Sequence, residues 1–202
     1  MSTSSPDEFP SGVRAAATAR GREASGVSPP PEYTVRPART TDVRSIIELA
    51  QPLVANRVLV PKERVVYYES IQEFLVAEDQ QSALAGFGAL HVMWEDLAEV
   101  RTLATLDSWR GHGVGSALLR QLVDRAAALG VSRVFCLTFE VEFFTRHGFR
   151  IMADQAPVDP EVYTELLRSP DEGVAEFLDL ARVKPNTLGN TRMILDLDSP
   201  GP

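Results

Sequence analysis

One cysteine, three histidines and no apolar run of the roughly 18 or more residues that a membrane span needs set the first limits on this chain of 202 residues. A single cysteine cannot close an internal disulfide. Because Cys136 lies in the apolar run Val134-Phe135-Cys136-Leu137, it reads as a small buried hydrophobe and not as a nucleophile, so covalent acyl-cysteine chemistry is not expected. His91, His112 and His147 lack the short pair spacing or the neighbouring cysteines of a metal centre. Each fits a structural place, in a strand, in a loop and at a helix end before Gly148, and no metal is expected. The N-terminus has no apolar core of the kind that marks a secretory signal, so the expected compartment is the cytoplasm, and neither a membrane nor a nucleic acid is an expected partner.

What is present suits one enzyme domain preceded by a tail. Apolar residues make up 44% of the chain, enough for a real core. Residues 1–31 are rich in Ser, Ala, Gly, Pro and Arg, end in Pro29-Pro30-Pro31 and show no apolar period; they are read as a disordered extension, with the folded domain over 32–198 and a frayed end at 199–202. Strands are expected over 33–36, 74–77, 84–93, 99–105, 133–138, 149–152 and 192–197. Helices are expected after the cap Thr41-Asp42, where Val43, Ile46, Ile47, Ala50, Leu53 and Val54 recur at helical spacing, in a turn begun by Pro61, and over 116–129, 160–167 and 173–180. Gly86 and Gly88 inside one strand point to a bulge or a close backbone approach. The order is alternating α/β, and no internal repeat interrupts it.

The most informative stretch is Trp109-Arg110-Gly111-His112-Gly113-Val114-Gly115-Ser116, between a strand and a helix. It offers a row of backbone N–H groups at the positive end of a helix, with glycines that let a phosphorylated ligand touch the main chain. It has neither the Gly-Lys-Ser/Thr of a Walker loop nor the G-x-G-x-x-G and distant acidic residue of a dinucleotide fingerprint. Its pattern is Arg-x-x-Gly-x-Gly, and about thirty residues later the chain reads Phe143-Phe144-Thr145-Arg146-His147-Gly148-Phe149. Together these resemble the central unit of the GNAT family of N-acetyltransferases. The resemblance implies a mixed, mostly antiparallel sheet, splayed at its middle with helices on both faces, and acetyl-CoA as co-substrate. Arg110, Gly111, His112, Gly113, Val114, Gly115 and Ser116 would hold its pyrophosphate, Leu103, Ala104 and Thr105 its pantetheine arm, and Phe144 would border it.

Acetyl transfer to an amine needs a neutral amine, a polarised thioester and a proton for the departing thiolate. Glu99 and Arg101 stand two apart on a strand, hence on one face, where a covered sheet would place apolar groups. Glu99 is the candidate general base, worth roughly 10²–10⁴ in rate; an ion pair at the strand start is the plainer alternative. Many relatives supply the proton from a tyrosine where this chain has Phe143 and Phe144, so Thr138 is the remaining hydroxyl candidate. The net charge of −8 would suit a cationic acceptor, but the segments expected to flank the acceptor carry Lys62, Arg64, Lys184 and Arg192, which favour a carboxylate-bearing one or are simply solvated.

A closer resemblance runs from about Tyr33 to Leu197, through Ala98-Glu99-Val100-Arg101-Thr102-Leu103-Ala104 and Asn190-Thr191-Arg192-Met193-Ile194-Leu195, to the acetyltransferase domain of the bacterial N-acetylglutamate synthases, which open arginine biosynthesis. It implies L-glutamate or L-glutamine as the acceptor, a small amino acid bound by Lys62, Arg64, Arg101, Lys184, Asn190, Thr191 and Arg192, with direct attack in a ternary complex. Longer members carry an amino-acid-kinase domain that binds arginine ahead of this one, and short stand-alone members lack it; arginine feedback at such a domain is not expected here. Acetylation of another small amine or a protein N-terminus stays open, as does an acyl-CoA sensor without catalysis. So does the oligomeric state, with a homodimer compatible with it.

Overall fold

Tight connections decide most of the topology. Asp79 folds the turn after the second strand by accepting the amides of Gln81 and Ala83, both at 2.9 Å, and only two residues separate the third strand from the fourth; such short links make antiparallel neighbours. The computed structural model describes residues 32–152, 158–180 and 189–197. The extension expected at 1–31, the end at 199–202 and Lys184 lie outside the described residues. The elements are β1 (Tyr33–Pro37), α1 (Val43–Ala55), α2 (Arg64–Glu69), β2 (Phe74–Asp79), β3 (Leu84–Trp94), β4 (Leu97–Thr105), α3 (Val114–Ala128), β5 (Arg133–Thr138), α4 (Val141–Arg146), β6 (Arg150–Ile151), α5 (Pro160–Leu166), α6 (Glu172–Phe177) and β7 (Thr191–Asp196).

Seven strands form one sheet in the order β1-β2-β3-β4-β5-β7-β6, and β4–β5 is its one parallel pair. A parallel pair needs a crossover, and α3 supplies it. The pair is short: Leu97, Ala98 and Glu99 face Arg133, Val134 and Phe135, and beyond them the strands part. From Val100 on, β4 pairs with β3 alone, while β5 runs along β7 to Thr138. The expected splay is this gap.

Leu118, Leu119, Leu122 and Ala126 of α3 cover one face of the sheet, over Ala98, Val100, Val134 and Cys136. Burying each such leucine is worth about 1.5–3 kcal/mol, which fixes α3, and so the loop ahead of it, against the sheet. The other face is shared. Val43, Ile46 and Ala50 of α1 pack on Phe74, Val76 and Phe87, and Leu166, Val174 and Phe177 of α5 and α6 pack on Leu97, Phe135 and Ile194. Glu99 and Arg101 rise from β4 on this second face. Cys136 is 1% exposed, as its apolar run implies.

The glycines of β3 mark both features expected of them. The register of β3 against β4 shifts between Phe87 and Ala89, and opposite it Thr102 adopts φ +59°, the extra residue of a bulge. The shift in parity turns Ala104 toward α1, the face on which Arg101 stands. A Cβ at Gly86 would lie 2.7 Å from the Ala104 carbonyl oxygen, so only glycine permits this approach.

Several boundaries differ from expectation. Asp42 stands at the N-cap of α1 but its side chain makes no capping bond there; its carboxylate accepts the Arg39 amide at 2.7 Å, closing the 3-10 turn Thr40–Asp42, and it also binds Arg36. Helix α2 starts three residues after Pro61, and α3 starts at Val114, two residues before Ser116, because Gly113 turns the chain directly into helix.

Candidate active site

The loop before α3 is built to leave its donors open. The 3-10 turn Asp107–Trp109 follows β4, with Arg110 donating to the Asp107 carbonyl and His112 to that of Trp109. Tyr33 meets Trp109 edge-on at 5.9 Å between ring centres, which pins the turn. Gly111 and Gly113 then take φ near +80°, a conformation costly to any residue with a Cβ. Gly113 is the N-cap and no side chain caps the helix. The first bond of α3 runs from the Ala117 amide to the Gly113 carbonyl, and among the described residues the amides of Gly111, Gly113, Val114, Gly115 and Ser116 have no partner. Their approach is clear: nothing stands within 4 Å of a Cβ built at Gly111, and Gly113 meets only the Tyr33 hydroxyl, at 3.5 Å. Arg110 pairs with Asp107 at 2.9 Å but is 69% exposed, and His112 is exposed beside Trp109.

The gap between β4 and β5 meets this loop. Leu106 donates to the Ala85 carbonyl on β3, so by strand alternation Ala104 also points its backbone groups toward β3, and those of Leu103 and Thr105 point into the gap. Thr105 Oγ1 lies 3.5 Å from a Cβ at Gly115, and the ring of Phe143 at 3.6 Å. Phe144 is 5% exposed in the core, meeting Phe143 and Phe149 edge-on. Phe143, partly buried, is the aromatic beside the loop.

Glu99 is buried on the face opposite α3. Arg101 Nη2 lies 2.7 Å from its Oε2, and the same guanidinium donates two bonds of 3.1 Å to Asp171 at the start of α6. His91 Nε2 lies 3.7 Å from Asp171, while its Nδ1 is 2.8 Å from Glu73. Burial pushes the Glu99 carboxyl up, reinforced by Asp171, while Arg101, Lys62 and His91 pull it down. Lys62, half-buried, is held below its ordinary value by burial and by Arg101, with Glu99, Asp171 and Glu73 pulling the other way. Burial also opposes the charge of Arg101, and its two carboxylates outweigh that opposition. The structure therefore brings Glu99, Arg101 and Lys62 together. Arg64 stands exposed at the start of α2, outside this group. His91, Glu73 and Asp171 were not expected in it.

Thr138 is 7% exposed at the end of β5, three residues beyond the partner of Glu99, so the pleat points it to the α3 face. Its Oγ accepts the Glu140 amide at 2.9 Å, which leaves its O–H to donate. Thr191 faces it across β5 and β7, with Asn190 and Arg192 on either side of Thr191 in sequence, all partly buried. Arg192 Nη2 is 3.6 Å from Asp179, and its Nη1 is buried without a hydrogen-bond partner among the described residues.

Glu176, a second buried carboxyl on α6, is pushed up to about 7, by burial first; Arg192 opposes the rise, while Glu172, Glu99 and Asp179 add to it. A folded-state value above the unfolded 4.5 means that the stabilisation is fully present below about pH 4.5 and is lost as the pH rises through about 7. Glu176→Gln is expected to gain about 1–2 kcal/mol at pH 8, roughly 2–8 °C in Tm, with no gain at pH 4. Calorimetric melts at both values check it.

Residues 44–149 match the model of the acetyltransferase (GNAT) family, which spans more than half of the chain. The chain belongs to this family. It is 51% identical over 165 residues to the amino-acid acetyltransferase of Mycobacterium tuberculosis, covering 81% of this chain and 94% of that protein. A Mycobacterium tuberculosis protein solved in complex with CoA matches at a TM-score of 0.77 and 50% identity, over 82% of this chain and 99% of that one. N-acetylglutamate synthase from Neisseria gonorrhoeae, complexed with coenzyme A and N-acetyl-glutamate, shares the fold at a TM-score of 0.65 and 23% identity; the match covers 83% of this chain but 35% of that longer one. The protein is an acetyltransferase of the GNAT fold that uses acetyl-CoA, and the open amides of the α3 loop fit the pyrophosphate of that co-substrate. Among the described residues no group of His, Cys, Asp and Glu is arranged to hold a metal, and no helix is long and apolar enough to cross a membrane.

Proposed function

We propose that this protein transfers the acetyl group of acetyl-CoA to the α-amine of L-glutamate or L-glutamine, the opening step of arginine biosynthesis. The observation that carries the reading is Glu99, a buried carboxylate at the mouth of the β4–β5 gap, flanked by Arg101 and near Lys62. The likeness to an amino-acid acetyltransferase over 94% of that relative's length supports an amino-acid acceptor.

The amides of Gly111, Gly113, Val114, Gly115 and Ser116 bind the pyrophosphate, with Arg110 adding charge-assisted contacts. The pantetheine arm lies along the backbone of Leu103 and Thr105 as an added strand, which delivers the thioester to Glu99. Glu99 takes a proton from the acceptor ammonium, directly or through water. The neutral amine attacks the acyl carbon, the C–N bond forms, and the C–S bond breaks as CoA departs as a thiolate, while the nitrogen gives up its second proton, which passes through water to the departing sulfur. The Thr138 O–H, held by its bond from the Glu140 amide, donates toward that sulfur or orients a water that does. Lys62 and the unpaired Nη1 of Arg192 hold the acceptor carboxylate, alongside Asn190 and Thr191.

A thiol-release assay with purified protein and a panel of amino acids and polyamines tests this. Turnover with glutamate or glutamine is expected. Spermidine consuming acetyl-CoA while both amino acids fail would overturn the acceptor assignment, and acetyl-CoA binding without thiol release on any amine would make the protein a sensor.

A further inference from the structure

We propose that Asp171 is a positioning residue for this reaction: by gripping both terminal nitrogens of Arg101 it keeps one oxygen of Glu99 open to the acceptor amine. The inference rests on Glu99 as the base. The two 3.1 Å bonds from Arg101 to Asp171 orient the guanidinium toward α6. Arg101 Nη2 still lies 2.7 Å from Glu99 Oε2, but off the line of a hydrogen bond, so this buried oxygen receives no hydrogen bond among the described residues. A buried carboxylate oxygen without a donor is costly; with Oε2 shut in between Arg101 and Gly173, the other oxygen of Glu99 is the one left for the acceptor's N–H.

The turn that carries Asp171 is fitted to this task. Gly173, two residues on, packs so closely on Glu99 that a Cβ there would collide with its carboxyl group, so any larger residue would hold α6 and Asp171 away from Arg101. From behind, His91 on β3 faces Asp171 through Nε2 and is itself held by Glu73 through Nδ1. Asp171 also caps α6, its Oδ1 accepting the Val174 amide at 3.1 Å.

Without the Asp171 charge, the Arg101 charge would act on Glu99 alone, and the guanidinium, no longer held toward α6, would turn from Oε2 onto the other oxygen as well. The ionisable groups around Glu99 are Arg101 on β4, Asp171 and Glu176 at α6, Lys62 ahead of α2, His91 on β3 and Cys136 on β5. Asp171 is the anion that most raises its proton affinity, and Arg101 is the main cation that lowers it. Removing Asp171 therefore makes Glu99 a weaker base that loses its proton at lower pH.

Asp171→Asn tests this, because asparagine keeps an oxygen for the Val174 amide and loses only the charge. Expected are an unchanged KM for acetyl-CoA, a kcat lower by about tenfold as part of the roughly 10²–10⁴ that a positioned base supplies, and an acidic limb of the kcat/KM profile displaced to lower pH. Asp171→Glu should return part of the rate and move the limb back. An acidic limb of Asp171→Asn that coincides with that of the unaltered protein, or a rate loss accounted for by unfolded protein in circular dichroism, overturns the inference. Glu99→Gln is measured in parallel: if it keeps turnover, the assignment of the base falls and this inference with it, whereas an inactive Glu99→Gln beside an unmoved Asp171→Asn limb removes Asp171 alone.

Discussion

Glu99→Gln should bind acetyl-CoA as the unaltered protein does and lose roughly 10²–10⁴ of kcat, the range a positioned general base supplies. Glutamine fills the same volume beneath Gly173, so the substitution opens no cavity. The fold should tolerate it because Arg101 keeps both bonds to Asp171, and a buried guanidinium with one carboxylate is not left unpaired. The cofactor side is independent of the change, since the open amides belong to the loop ahead of α3, which packs on the face of the sheet opposite Glu99. What disappears is the group that can take a proton: an amide cannot deprotonate an ammonium at neutral pH. Calorimetry with acetyl-CoA and a thiol-release assay with the acceptor separate the two halves. Unchanged turnover would remove Glu99 as the base, and lost affinity for acetyl-CoA would mean that the two faces are coupled.

The reach of the sequence follows the range of the physics involved. Local signals were legible: the apolar run of β5 gives its bounds, and glycines ahead of an apolar-periodic stretch give the left-handed turn that opens α3 with free amides, because strand pleat, helix period and left-handed turns are properties of a few neighbouring residues. The splay was accessible only through family resemblance, since nothing in Val100 or Cys136 announces that their strands part. Register within a short helix was not legible either. Phe143 and Phe144 differ by about one hundred degrees around a helix of six residues, too short to show a period, and the ring next to Gly115 proved to be the first of them. The largest omission was the surroundings of Glu99. Arg101 and Asp171 are 70 residues apart, and Glu73, His91 and Asp171 sit in segments with no local peculiarity. They converge because α6 packs across β4 on the second face of the sheet, and Gly173 was the one hint in the chain that a backbone must come close there.

The second large effect is expected from Gly113→Val. Gly113 sits at φ +81° and ψ 0°, where a β-branched side chain is strained by about 1–2 kcal/mol, and from that position it aims the amides of Val114, Gly115 and Ser116 outward as α3 begins. Relief of the strain must rotate this peptide group or push back the first turn, and either displaces donors from a diphosphate that cannot follow them. A hydrogen bond to a charged group is worth about 1.5–3 kcal/mol, so each one lost weakens acetyl-CoA binding roughly ten- to hundredfold. The KM for acetyl-CoA should rise accordingly, while kcat at saturation falls less, because Glu99 and its partners lie on the other face. Gly130 provides the control. It has φ +84° at the far end of the same helix with nothing within 4 Å of a built Cβ, so Gly130→Val carries comparable backbone strain at a site remote from the loop. Both variants should melt at lower temperature than the parent, and only Gly113→Val should lose affinity for acetyl-CoA in calorimetry. Equal losses of affinity would mean that helix stability, and not the fan of amides, governs binding.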